Sequence, residues 1–149
     1  DQIEIVIVED NPSDTELVLR VFRKHSLANN CVVLKDGAEA LDFLLQPGEK
    51  GKAPAAKVVL LDLKLPKVDG LEVLRRLRAD ERTRHLPVVV LTSSNQDRDI
   101  KAAYELGANS FIIKPVKFDD FTRVVAQLGL YWLMVNVPPA RYPGRRNSE

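Results

Sequence analysis

The chain has 149 residues, with 22 Lys and Arg against 21 Asp and Glu and a formal net charge of +1. Hydrophobic residues are 45% and charged residues 29%, which supports one globular core and excludes a disordered polar chain. The balance excludes a strongly basic nucleic-acid binder, and it is unevenly spread: residues 138–149 carry Arg141, Arg145 and Arg146 against Glu149, which leaves 19 basic and 20 acidic side chains in residues 1–137. The single cysteine, Cys31, excludes an intramolecular disulfide and fits a reducing compartment. No apolar run reaches the ~20 residues of a membrane span. The start, Asp1-Gln2-Ile3-Glu4, lacks the features of a signal peptide. A cytoplasmic protein without membrane contact is the expectation.

Apolar runs and helix-period segments alternate along the chain. Residues 3–8 (IEIVIV) form a β-branched run that ends at Glu9-Asp10. Asn11-Pro12 then reads as an N-cap followed by proline at the first helical position, with a helix over about 12–26. Residues 31–34 are a second strand, and Ala38 to Leu45 a second helix. Residues 46–56 hold two Pro and two Gly and read as an exposed loop. The third strand, 58–61 (VVLL), ends at Asp62. Leu71, Val73, Leu74 and Leu77 mark a third helix, with Arg75, Arg76 and Arg78 on its wet side. The fourth strand, 88–91, ends at Thr92-Ser93-Ser94; a polar helix over 96–106 follows, with Gly107 as its stop. The fifth strand, 110–113, ends at Lys114-Pro115, and a last helix spans 118–135.

Several of these strands are solidly apolar rather than alternating, the pattern of a sheet buried on both faces. The fold class is therefore α/β: a five-stranded parallel sheet in a three-layer α/β/α sandwich of flavodoxin-like order. In such folds ligands bind at the carboxyl ends of the strands. Those ends carry Glu9 and Asp10, Asp62, Thr92 and Ser93, and Lys114. Each alone is unremarkable as a loop or strand-end residue. Together they are three acids, a hydroxyl and an ammonium at one edge of a sheet. Clustered carboxylates call for a cation, and oxygen ligands without His or Cys suit Mg²⁺ rather than zinc. A carboxylate can also attack phosphorus and form an aspartyl phosphate, with a metal and a lysine offsetting the phosphoryl charge.

The motifs Val8-Glu9-Asp10-Asn11, Leu61-Asp62-Leu63-Lys64-Leu65-Pro66 followed by Asp69-Gly70, Leu91-Thr92-Ser93 and Lys114-Pro115 resemble the receiver domain of two-component response regulators over about residues 3–134. The resemblance implies Asp62 as phosphoacceptor, with Thr92 and Lys114 binding the phosphoryl group. It implies Mg²⁺ held by Glu9, Asp10, Asp62 and the backbone carbonyl of Lys64. It also implies a cis bond before Pro115 and a switch pair of Thr92 and Phe111, where Phe111 lacks the hydroxyl of the tyrosine common there. The loop 46–56 and the extension Leu130-Tyr131-Trp132-Leu133 are most similar to single-domain regulators that serve phytochrome-type sensor histidine kinases. The expected division is a receiver over 1–134 and a Pro-rich basic extension over 135–149.

Three large apolar residues in a row, Tyr131 to Leu133, cannot all face one core on a helix. A homodimer surface of Phe111, Tyr131, Trp132, Leu133 and Val135 is one expectation; folding back onto the same domain is the other. Gly48-Glu49-Lys50-Gly51-Lys52 lacks phosphate-loop spacing and reads as a solvated loop. The arginines at 75, 76, 78, 82 and 84 read as a solvated face rather than a nucleic-acid surface, because no aromatic residues interleave them. His25 and His85 are expected at the surface. The rival functions are a pseudo-receiver scaffold and a small-molecule phosphotransferase that uses the same aspartyl phosphate. The complete residue set argues against the first, and the lack of a substrate-pocket motif against the second.

Overall fold

The computed structural model describes residues 3–45 and 56–139. The predicted loop 46–56 and the basic tail lie almost wholly outside the described residues. The order of elements is β1 (Ile5–Val8), α1 (Pro12–Lys24), β2 (Cys31–Leu34), α2 (Gly37–Leu45), β3 (Val58–Leu61), α3 (Gly70–Ala79), β4 (Val88–Thr92), α4 (Asp97–Glu105), β5 (Ser110–Ile113) and α5 (Phe118–Gly129). All pairings are parallel, in the order β2-β1-β3-β4-β5. The expected α/β sandwich is observed.

Strand burial explains this order. β1, β3 and β4 are buried along their whole length and occupy the middle of the sheet, while β2 and β5 are half-buried at its edges. Alternate residues of each strand face opposite layers. Val6, Val8, Val59, Leu61, Val88 and Val90 pack with Leu41, Leu44, Val73, Leu74, Leu77 and Ala103 of α2, α3 and α4. Ile5, Ile7, Val58, Leu60, Val89 and Leu91 pack with Leu17, Val18, Phe22, Phe121, Val125 and Leu128 of α1 and α5. Fully burying one such side chain contributes about 1.5–3 kcal/mol, so both layers are needed to hold the sheet.

The predicted start of α1 is realised in detail: Asn11 Oδ1 accepts from the backbone N–H groups of Ser13 and Asp14, and Pro12 occupies the first turn. Gly107 follows α4 with φ of 102°, a left-handed stop that glycine adopts without strain.

Three expectations are corrected. The last helix does not continue to 135 as α-helix; Leu130–Val135 is a π-helical turn. An α-helix would send Trp132 inward on the stripe of Val125 and Leu128. The wider turn delays the rotation by one residue, so Leu133 is buried and Trp132 only partly so. Lys57 fixes this turn by donating to the Leu133 carbonyl at 3.3 Å while pairing with Glu4 at 3.5 Å. Second, Arg78 does not lie on the wet side of α3. It is half-buried and donates to the carbonyls of Gly107 and Leu86 and to Asn109 Oδ1. Third, the described residues contain no cis peptide, so the bond between Lys114 and Pro115 is trans. Trans is the intrinsically favoured isomer before proline, by about 0.5–1 kcal/mol.

Candidate functional site

The sheet reverses its winding between β1 and β3, and their carboxyl ends open a crevice there. Val8 and Leu61 are register partners, so the next residues, Glu9 and Asp62, stand side by side. Two backbone bonds extend the ladder past the strand ends: Asp62 N–H donates to the Val8 carbonyl at 3.1 Å, and Glu9 N–H to the Leu34 carbonyl at 3.0 Å. Both carboxylates are buried, whereas Asp10 is exposed at the mouth. One oxygen from each of Glu9, Asp10 and Asp62 lies within 4.8 Å of the others.

Lys114 reaches this group from β5. Its backbone N–H donates to the Thr92 carbonyl at 2.7 Å, which sets its direction. Its ammonium lies 2.6 Å from Glu9 Oε1, 2.9 Å from Asp14 Oδ2 and 3.2 Å from Asp62 Oδ2. A buried ammonium is tolerated only when its donors are matched in this way. Burial by itself would lower the Lys114 pKa. The bonds to Glu9 and Asp14 and the charge of Asp62 outweigh it, so Lys114 is held well above its ordinary value and stays charged. Burial pushes Glu9 up to about 7; the Lys114 bond opposes this and the nearby Asp62 charge adds to it. A buried carboxylate beside another carboxylate resists ionising even against one ammonium, and a divalent cation would favour its charged form.

The donor set fits a hard divalent cation. It is all oxygen, and among the described residues this acidic group contains no His or Cys. The cleft of about 420 Å³ beside it is lined by Asp10, Leu63, Lys64, Leu65, Pro66, Asp69, Leu71 and Asp99. Lys64 donates its backbone N–H to Asp62 Oδ1 at 3.2 Å, which holds the β3–α3 loop against the carboxylate. Its side chain is exposed and lies 3.8 Å from Asp99.

The loop is compact because glycine allows it. Gly70 N–H donates to the Leu63 carbonyl at 2.9 Å, and a Cβ on Gly70 would stand 2.3 Å from the Asp62 carbonyl oxygen. A Cβ on Gly37 would stand 1.8 Å from the Val68 carbonyl oxygen, so the β2–α2 turn braces the same loop from outside.

Thr92 is fully buried at the end of β4, and its hydroxyl accepts from Ser94 N–H at 3.4 Å. Phe111 is half-buried on β5, its ring 6.5 Å from that of Tyr104. The strand ends thus bring Glu9, Asp10, Asp62 and Lys114 together, with Thr92 on the next strand. The proposed interface residues are split. Tyr131 and Val135 are exposed, Trp132 is partly buried, and Leu133 is removed from any outer surface by the π-turn. His25 and His85 are exposed, as expected.

Two members of the site escaped the sequence reading. Asp14 looks there like an ordinary acid in the first turn of a helix, favoured by the helix dipole. Asp99 looks the same on α4, yet it accepts from the Ser94 hydroxyl at 2.5 Å and faces Lys64. The available signal was positional: both lie in the first turn of a helix that follows a strand end of the site.

A crevice of this kind, with paired acids, a strand-end aspartate and a buried lysine, is the mark of receiver proteins. The chain belongs to the response regulator receiver domain family, which matches residues 5–126. Among its relatives, the probable methanogenesis regulatory protein FilR2 of Methanothrix harundinacea is 43% identical, over 93% of this chain and 89% of that protein. Response regulator Rcp1 of Synechocystis is 37% identical, over 91% and 92%. The Mn²⁺-bound crystal structure of Rcp1 superposes with a TM-score of 0.84 at 36% identity, covering 93% of this chain and 99% of that one. The bacteriophytochrome response regulator AtBRR is 48% identical, with a TM-score of 0.66 over 92% and 99%. The phosphorylated cyanobacterial phytochrome response regulator RcpA gives 0.84 at 33% identity, over 94% and 100%.

Proposed function

We propose that Asp62 accepts a phosphoryl group from a sensor histidine kinase, of the phytochrome type, and that the change at Asp62 is passed on through protein contact. The observation that carries this reading is the Lys114 ammonium held between Glu9 and Asp62, which together with Asp10 offer three oxygens spaced to share one cation. Mg²⁺ would be held by Glu9, Asp10, Asp62 and the Lys64 carbonyl, and would supply charge neutralisation at the phosphoryl oxygens. Asp62 Oδ attacks the phosphorus of a phosphohistidine, an O–P bond forms as the N–P bond breaks, and the imidazole leaves. Lys114 and the Thr92 hydroxyl then bind phosphoryl oxygens. Phe111 is the partner of Thr92 in the resulting shift. Later attack by water on the phosphorus breaks the Asp62 O–P bond, releases inorganic phosphate and returns the carboxylate. These are steps of a signalling protein acting on itself, in the cytoplasm.

Support for the phytochrome-type partner comes from the likeness to RcpA and AtBRR. The reading includes no nucleic-acid contact: Arg78 and Arg82 of the arginine cluster are turned to backbone carbonyls instead of a ligand. It includes a homodimer through the expected residues Phe111, Tyr131, Trp132 and Val135, without the buried Leu133, and the exposed Leu130 and Met134 extend that surface. The receiver is assigned to 1–134 and the basic extension to 135–149.

The test is incubation with a small acyl phosphate and Mg²⁺, followed by intact mass. Wild type gains one phosphate and Asp62→Asn none. Labelling retained in the variant, or absent from both proteins, overturns the assignment. Light scattering tests the dimer: Val135→Glu should be monomeric where wild type is dimeric, and a wild type that stays monomeric at high concentration refutes it.

A further inference from the structure

Asp14 is not among the three carboxylates spaced to share a cation, yet it is bonded to the site's lysine. An ammonium has three N–H donors, and in Lys114 they point to Glu9 at 2.6 Å, Asp14 at 2.9 Å and Asp62 at 3.2 Å. The bond to Asp62 is the longest, and phosphorylation of Asp62 would remove the carboxylate charge that now strengthens it. Lys114 is 9% exposed and Asp14 25%, so solvent screens this pair weakly. Asp14 also lines a cleft of about 580 Å³ with Pro12, Ser13, Val116 and Phe118.

We propose that Asp14 is an electrostatic counterweight to the phosphoryl group, a positioning residue that ties up one donor of Lys114 and offsets its charge. It thereby sets how tightly the site retains a phosphoryl anion. This rests on the reading of Asp62 as phosphoacceptor. The argument is one of charge. Glu9, Asp14 and Asp62 surround a single ammonium, and Asp10 lies beside Glu9 and Asp62. Every negative charge there favours the divalent cation and opposes an arriving anion. Glu9 and Asp62 act on both ligands by direct contact. Asp14 acts on the anion through Lys114. Removing its charge should therefore move the two affinities in opposite directions, whereas mere loosening of the site would weaken both.

Asp14→Asn is nearly isosteric and keeps an oxygen that can accept from Lys114, so it removes charge and spares orientation. The probes are Mg²⁺ alone and beryllofluoride at saturating Mg²⁺, each followed by calorimetry. The variant should bind Mg²⁺ about threefold more weakly and beryllofluoride about three- to tenfold more tightly. Asp14→Glu, which restores the charge, should return both affinities toward wild type. Beryllofluoride binding that is unchanged or weakened in Asp14→Asn overturns the inference. A wild type that fails to bind beryllofluoride in the presence of Mg²⁺ overturns instead the reading of Asp62, so the two failures are distinguishable.

Discussion

The Lys114 ammonium stands 3.2 Å from Asp62 Oδ2, and so joins two strand ends 52 residues apart in the chain. The same ammonium also pairs with Glu9 and Asp14. Replacing it by Met would leave three carboxylates facing one another with no cation. We expect Lys114→Met to lose about 2–4 kcal/mol of stability in metal-free buffer, the cost of stripping one side from a buried ionic group. Mg²⁺ should restore part of that. Urea unfolding with and without MgCl₂ measures it. A loss unaffected by Mg²⁺ would show that carboxylate repulsion is not the cause.

Glu9 makes the metal site pH-sensitive. Its folded pKa of about 7 lies above the ordinary value of 4.5. A raised acid binds its proton more tightly in the native state, so its contribution to stability is fully present below about 4.5. That contribution is lost as pH rises to about 7, at no more than about 1.4 kcal/mol per pH unit. Metal binding requires the ionised form and expels the proton. Mg²⁺ affinity should thus climb from pH 5 to about 7 and then level off. Titration calorimetry in buffers of different ionisation enthalpy should show proton release at pH 6 and little at pH 8. Equal release at both would refute the assignment.

The brace at Gly37 predicts a coupled defect. Its missing side chain lets the Val68 carbonyl approach, and Gly37 N–H donates to the Pro66 carbonyl at 3.3 Å. Gly37→Ala must push the β3–α3 loop outward, at about 1–3 kcal/mol for overpacking. That loop carries Lys64, so the variant should also bind Mg²⁺ more weakly. Denaturation and metal titration of one sample decide this. Normal Mg²⁺ affinity in the variant would uncouple the brace from the site.

The arginines of α3 should differ sharply. Arg78 donates to the carbonyls of Thr83 and Leu86 in the α3–β4 loop and of Gly107 in the α4–β5 loop. Arg78→Ala strands those acceptors and should cost about 2–3 kcal/mol. Arg75 pairs with Glu72 on an exposed surface, so Arg75→Ala should change stability by about 0.5 kcal/mol or less. Chemical denaturation separates the two, and equal effects would contradict the placement of Arg78.

The sequence by itself determined the layers and the ends of the strands. Solid apolar runs such as Val58–Leu61 and Val88–Leu91 can only be satisfied between two helical layers, and Asp62 and Thr92 follow where those runs stop. Those are local properties of hydrophobic patterning, and they placed Glu9, Asp10, Asp62 and Lys114 at one edge of the sheet. The tertiary structure alone decided which groups share a proton, a donor or a void. Asp14 and Asp99 are spaced from their partners by register and helix rotation, which no local pattern encodes. Arg78 lies on a helix face whose wetness depends on what α4 and the loops around β4 leave open. At 130–135 the sequence posed the conflict of Tyr131, Trp132 and Leu133. Only packing against Lys57 and the second core layer selected the π-turn that buries Leu133.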